Sequence, residues 1–148
     1  MKKIILITSI LLLVSILASI GLCHDITNVV FTPPAPADLD FSEHVEYTFD
    51  YETDEATGVR IWSSPLAGGV PASSFMVSSS PLLPTGTGSG SGFFTIQTGA
   101  VTVDQVRMYM WDADVNQFLH EVFIDVEYNF GPVTPNETST WGEIKALF

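Results

Sequence analysis

Three histidines, one short run of alternating oxygen donors, and two arginines among aromatics are the residues of this 148-residue chain whose types could do chemistry. A nucleophile needs a base, and the base needs a group to orient it. His24, His44 and His120 stand far apart, none beside a companion motif. The serines gather in turn-like stretches with no Gly-x-Ser-x-Gly elbow. Carboxylates neighbour one another throughout so acidic a chain, so pairing alone picks out no acid and base. The sequence therefore predicts a protein that is not an enzyme.

Asp112-Ala113-Asp114-Val115-Asn116 places oxygen donors at alternate positions, as calcium loops do. Asp112, Asp114 and Asn116 are thus candidate calcium ligands. The sixth position holds Gln117 instead of glycine and the twelfth Phe123 instead of glutamate, so the EF-hand pattern is incomplete. Asp and Asn also belong in a plain hairpin connection, because they tolerate turn backbones. Asp38, Asp40 and Glu43 form a second, sparser acidic group.

The arginines and aromatics depend on which way strands turn their side chains. Over residues 44–52, Val45, Tyr47, Phe49 and Tyr51 alternate with Glu46, Thr48, Asp50 and Glu52. A period of two places every apolar group on one face of a strand. Further strands are expected over residues 27–32, stopped by Pro33-Pro34, and over 59–62, ended by Pro65. Others are expected over 75–78 at an edge, 93–98, 103–111 and 118–130, with 112–117 as a hairpin connection. Residues 85–92 read Thr-Gly-Thr-Gly-Ser-Gly-Ser-Gly; they carry no side chain able to pack and are expected to form a loop. About seven short strands between turns predict an all-β fold, an antiparallel sandwich of the immunoglobulin-like or fibronectin III-like kind.

In such a sandwich the third strand and the last two are sheet neighbours. If Val59, Ile61, Val106, Met108 and Met110 point inward, the opposite parity carries Arg60, Trp62, Arg107, Tyr109, Trp111 and Phe123 outward. Aromatic planes and guanidinium groups suit sugar rings, peptides or another protein, since such residues concentrate at binding hot spots. A quieter role fits the same residues. Glu121, Asp125 and Glu127 are expected outward on the adjoining strand, where they would pair with the arginines. The aromatics would then be sheet formers covering one another.

The ends read separately. Met1-Lys2-Lys3 and the apolar run to Leu22 form a signal peptide helix over residues 1–23. Gly21 and Cys23 suit a cut before His24. A lipoprotein would need a small residue where Leu22 stands. An uncleaved anchor is the other alternative, because the run is long enough to span a bilayer. Cys23 is the chain's one cysteine, so the domain over 24–131 must stand on its core without a disulfide. All 17 Asp and Glu lie beyond residue 23, against Arg60, Arg107 and Lys145, which leaves a formal charge of −14 after cleavage. That sign repels phosphate backbones and argues against nucleic acid as a partner. Residues 132–148 hold a linker and then a capping box from Thr140 to Glu143. The short helix it opens places Trp141, Ile144, Leu147 and Phe148 on one side as a docking tail.

Several segments resemble a domain that recurs in secreted proteins of environmental bacteria. They are Val30-Phe31-Thr32-Pro33, Phe49-Asp50-Tyr51, Gly58-Val59-Arg60-Ile61, Ser80-Pro81-Leu82-Leu83-Pro84, Gly92-Phe93-Phe94-Thr95-Ile96 with the Gly-Ser run before it, and Val103-Asp104-Gln105-Val106-Arg107. The resemblance implies an extracellular Ig-like module with no catalytic residues to carry over. Residues 140–147 are similar to Trp-Gly-x-Ile-Lys endings on other secreted bacterial proteins, though those often finish in arginine and this chain in Phe148. The leading expectation is a non-catalytic binding or adhesion module, secreted or at the cell surface. Its partner would be a protein or polysaccharide, its cofactor none unless calcium, and its membrane contact only a leader left uncleaved. The second is a structural spacer or subunit of an extracellular assembly, with calcium as a stabiliser.

Overall fold

Val45, Tyr47, Phe49 and Tyr51 do share one face, and it is the inner one, at most 4% exposed. The computed structural model describes residues 23–78 and 80–132. The signal helix, and the tail helix with Trp141, Ile144, Leu147 and Phe148, fall outside the described residues. Within them the chain is all β. Its strands are β1 (His24–Thr32), β2 (Ala37–Leu39), β3 (Val45–Thr53), β4 (Val59–Ala67), β5 (Val70–Pro71), β6 (Phe75–Val77), β7 (Gly86–Ile96), β8 (Val101–Asp112) and β9 (Phe118–Phe130). One sheet has the order β1-β3-β7-β6 and the other β2-β9-β8-β4-β5. Taking β1 as A, β3 as B, β4 as C, β5 as C′, β6 as D, β7 as E, β8 as F and β9 as G gives the ABED and GFCC′ sheets of an immunoglobulin-like sandwich. Every pair is antiparallel except β2 with β9.

The largest departure from the sequence reading is β7. Residues 85–92 were expected to loop, yet Gly86 to Phe94 pairs with Thr53 to Val45 in unbroken register. The reason lies in the partner. Gly88, Gly90 and Gly92 stand opposite Tyr51, Phe49 and Tyr47. Facing residues of an antiparallel pair point to the same side. The three rings therefore cover the three glycines on the inner face. A Cβ at any of these glycines would come within 3.0 Å of the ring or hydroxyl above it. Glycine weakens a strand through its entropy, and a cross-strand aromatic that covers it compensates. Thr87, Ser89 and Ser91 turn outward to water.

β4 also runs further than expected, through Pro65 to Ala67. Proline is excluded where a strand needs its N–H for the ladder. The carbonyl of Pro65 accepts the N–H of Ala72, so this residue directs its backbone groups toward the β5 edge and the missing donor costs β8 nothing. The rest of that edge is covered by the segment after β6. Ile61 N–H donates to Ser80 Oγ at 2.7 Å, and Val59 and Leu83 exchange two backbone bonds at 2.9 Å each.

The core joins the sheets through aromatic edges. Phe94 of one sheet meets Tyr128 and Phe130 of the other at 6.1 and 6.4 Å. Phe31 sets its edge on both Tyr47 and Tyr128. Val59, Ile61, Val106, Met108 and Met110 are all fully buried, as the parity required. A register shift between Val103 and Gln105 lets Val103 point inward as well, though it lies an odd number of residues from Val106.

The glycine ladder is testable. Gly90→Ala is expected to lower the unfolding free energy by about 1–3 kcal/mol, the usual cost of forcing extra volume into a packed core. Ser91→Ala, one residue along and facing water, is expected to stay within about 0.5 kcal/mol. Urea denaturation of both variants beside the wild type makes the comparison.

Candidate functional site

The outer face of β4, β8 and β9 is built in cross-strand rows. Phe123, Arg107 and Ser64 form the first, Glu121, Tyr109 and Trp62 the second, and Phe118, Trp111 and Arg60 the third. Trp62 and Tyr109 stack, with ring centroids 6.0 Å apart and planes 21° from parallel. Arg107 joins the first row to the second. Its guanidinium carbon lies 5.1 Å from the Tyr109 ring centre and 5.9 Å from that of Phe123. Its Nε meets Glu121 Oε2 at 2.5 Å. A cation held over two aromatic faces and fixed by a carboxylate has few other rotamers open to it. Trp111 and Phe118 meet edge to face at 6.1 Å.

The structure thus brings together Trp62, Arg107, Tyr109, Trp111 and Phe123 of the sequence-derived set. Arg60 is on the same face but turns away, its Nη1 donating to the carbonyl of Ser80 at 3.3 Å. Among the described residues the arginine–carboxylate pairing expected of the quieter role is made once, by Arg107 with Glu121. Asp125 instead accepts from Gln105 Nε2 at 2.9 Å.

Phe118 was missed in the sequence. Strict alternation from Phe123 puts residue 118 inside. A register shift at Met110/Trp111 moves it opposite Trp111, and a bulge of this kind re-aims every side chain beyond it. Phe118 and Phe123 are the open ends of the strip, 41% and 51% exposed.

Asp112 serves the turn. Its Oδ1 accepts the N–H of Asp114 at 2.6 Å, that of Val115 at 3.1 Å and the Thr57 hydroxyl at 3.3 Å. The Asp112 N–H donates to Gln117 O, closing the hairpin. The Asp114 amide chiefly, with the Val115 amide and the Thr57 hydroxyl, holds the Asp112 carboxyl below its usual range against the opposing effect of burial. Asp114 and Asn116 are exposed. Among the described residues no three His, Cys, Asp or Glu side chains gather around a common point. In the second acidic group, Glu43 Oε2 accepts the Asp40 N–H and Asp38 accepts from Asn129.

Two of the histidines are braces. His24 Nδ1 lies 3.1 Å from Thr53 Oγ1, and its Nε2 lies 3.4 Å from Asp54 Oδ1. The order hydroxyl, imidazole, carboxylate is that of a catalytic relay. Thr53, however, is only 2% exposed and its Oγ1 already accepts the Glu55 N–H. His44 stacks on Phe93 at 4.0 Å. His120 Nε2 is buried without a hydrogen-bond partner among the described residues, 3.6 Å from Asp25 Oδ1 of the other sheet.

No family model matches the chain. No curated protein matches it. Among solved structures it is similar to a Niemann-Pick type C2 protein from Japanese carpenter ant, with a TM-score of 0.49 and 9% identity over 76% of this chain and 96% of that one.

A carboxylate whose pKa is depressed in the folded state stabilises the fold above the unfolded value, about 3.9 for Asp, and loses that contribution as pH falls through the folded value. Asp112→Asn is therefore expected to melt below the wild type near neutral pH. The gap should close on acidification below about pH 4, as read by thermal melts across that range.

Proposed function

We propose that this chain is a non-catalytic extracellular binding module, secreted or held at the cell surface, and that the outer face of β4, β8 and β9 is what it binds with. The observation that supports the reading is the continuity of the strip. Trp62, Tyr109, Arg107 and Phe123 are linked ring to ring and ring to cation from β4 to β9. Single exposed apolar groups are ordinary on a protein surface, whereas a joined run of them marks an interaction site. Each ring here is held by a neighbour, so little side-chain freedom is lost when a partner lands on it.

The partner class is a surface polysaccharide or a protein. Flat rings offer stacking area to sugars, and Arg107 with Glu121 offers both a donor and an acceptor beside them. The strong negative charge keeps the module clear of nucleic acid. A structural subunit is the second reading, supported by the β7 edge, which has no backbone partner at Thr87, Ser89 or Ser91 among the described residues.

The reading is tested by glycan arrays and pull-downs from cell-surface extracts. Wild type is expected to retain a partner. Trp62→Ala and Tyr109→Ala are each expected to weaken it by about tenfold or more, as truncation of a hot-spot aromatic does. Near-UV circular dichroism would confirm that both variants keep the sandwich. A partner held equally well by both would remove this face from the account.

A further inference from the structure

A sheet edge is a row of unpaired N–H and C=O groups, and proteins blunt it with short strands, bulges, proline or cover. Most edges here are blunted. β2, β5 and β6 are two or three residues long. β1 is broken by a register shift between Thr27 and Val30. The β4 edge is covered by Ser80 and Leu83. β7 is different. β6 pairs with it only at Ile96, Thr95 and Phe94. Ser78 then donates its N–H to Phe93 O at 3.0 Å and accepts the Phe93 N–H on Oγ at 2.8 Å, and the chain leaves for β4.

Backbone groups alternate sides along an antiparallel strand. Phe93 directs its pair toward β6, so Ser91, Ser89 and Thr87 direct theirs the same way, beyond the end of β6. Gly92, Gly90 and Gly88 direct theirs to β3. The unbroken register makes that alternation secure. Among the described residues no backbone partner meets Thr87, Ser89 or Ser91 on that side. No proline or charged residue lies between Gly86 and Phe93 to discourage one.

The neighbouring surface sets the chemistry of an added strand. Asp25, Glu46, Asp50 and Glu52 lie on the outer face of this sheet, while both described arginines lie on the other. Asp50 leans onto β7, accepting from the Ser89 hydroxyl at 2.6 Å and from Asn28 Nδ2 at 2.8 Å. Those same two donors, the Ser89 hydroxyl first, hold its carboxyl below the usual range. A new strand would run about 4.8 Å beyond Ser89. A Lys or Arg on its outer face then meets an ionised carboxylate across the Ser89 side chain. A second copy of this chain joined through the same edge would set its own Thr87, Ser89 and Ser91 there, with Asp50 one strand further off, and would bring no cation to meet this carboxylate.

We propose that the free edge of β7 at Thr87, Ser89 and Ser91 takes an extended segment of a basic partner polypeptide by strand addition, with a Lys or Arg opposite Ser89. This site is on the sheet opposite the aromatic strip and does not depend on it.

The test is amide hydrogen exchange on the full chain. The probe is the capped peptide Thr-Val-Lys-Val-Lys-Val-Thr, with Thr-Val-Glu-Val-Glu-Val-Thr as its counterpart. Saturating lysine peptide is expected to slow exchange at Thr87, Ser89 and Ser91 by about tenfold or more, and the glutamate peptide to leave them unchanged. Ser89→Pro removes the central outward donor while leaving the backbone bonds to β3 in place, losing only the Ser89 hydroxyl bond to Asp50, and is expected to abolish the protection. Asp50→Asn keeps every backbone donor and is expected to weaken the lysine peptide by about tenfold, which carries the test should Ser89→Pro not fold. The proposal is overturned by unslowed amides, by equal protection from both peptides, by undiminished binding to Asp50→Asn, or by a dimer that protects the same amides without peptide.

Discussion

Tyr47, Phe49 and Tyr51 cover Gly92, Gly90 and Gly88, and a methyl group at any of those three glycines would collide with what lies above it. Much else follows from this contact. The rings gain their depth because the facing strand has no side chains to push them away. The strand gains a place in the sheet because the rings do its packing. Tyr51 reaches past the last of these glycines to bond the carbonyl of Pro84 at 3.1 Å, which fixes the entry to β7. Tyr128, on the other sheet, holds the carbonyl of Pro33 at 2.7 Å, at the other side of the sandwich. Buried rings of this size each remove a large apolar area from water, and in a domain with no disulfide they carry much of that duty.

Carboxylates lie on both outer faces, but the arginines lie on one. Arg60 and Arg107, the two basic residues other than histidine among those described, both belong to the five-stranded sheet, with the stacked aromatics. The four-stranded sheet shows carboxylates and hydroxyls. One molecule thus offers a flat aromatic strip on one side and an acidic margin with open backbone on the other. The two faces thus differ in the chemistry they present.

Much of this was legible in the sequence, and the failures are instructive. The alternation over residues 44–52 placed β3, and the parity of Val59 and Ile61 with Val106, Met108 and Met110 placed the outer strip correctly. Residues 85–92 misled because packing was sought within the segment, whereas the packing groups are on β3, some forty residues earlier. Pro65 misled because only the sheet order reveals which side of β4 needs a donor. Phe118 was hidden by a one-residue register shift that leaves no mark on composition. The turn-holding role of Asp112 was not read, because spacing shows donors at alternate positions and not the amides that fold back onto Oδ1.

Glycine leaves residues 86–92 with more freedom in the unfolded chain than any other stretch of the domain. The segment also has no side chain with which to start a local cluster. Its strand can form only with Tyr47, Phe49 and Tyr51 in line, a contact that closes a long loop and is correspondingly slow. The packing groups of this segment thus all belong to β3, and its place in the sheet depends on a contact distant in sequence.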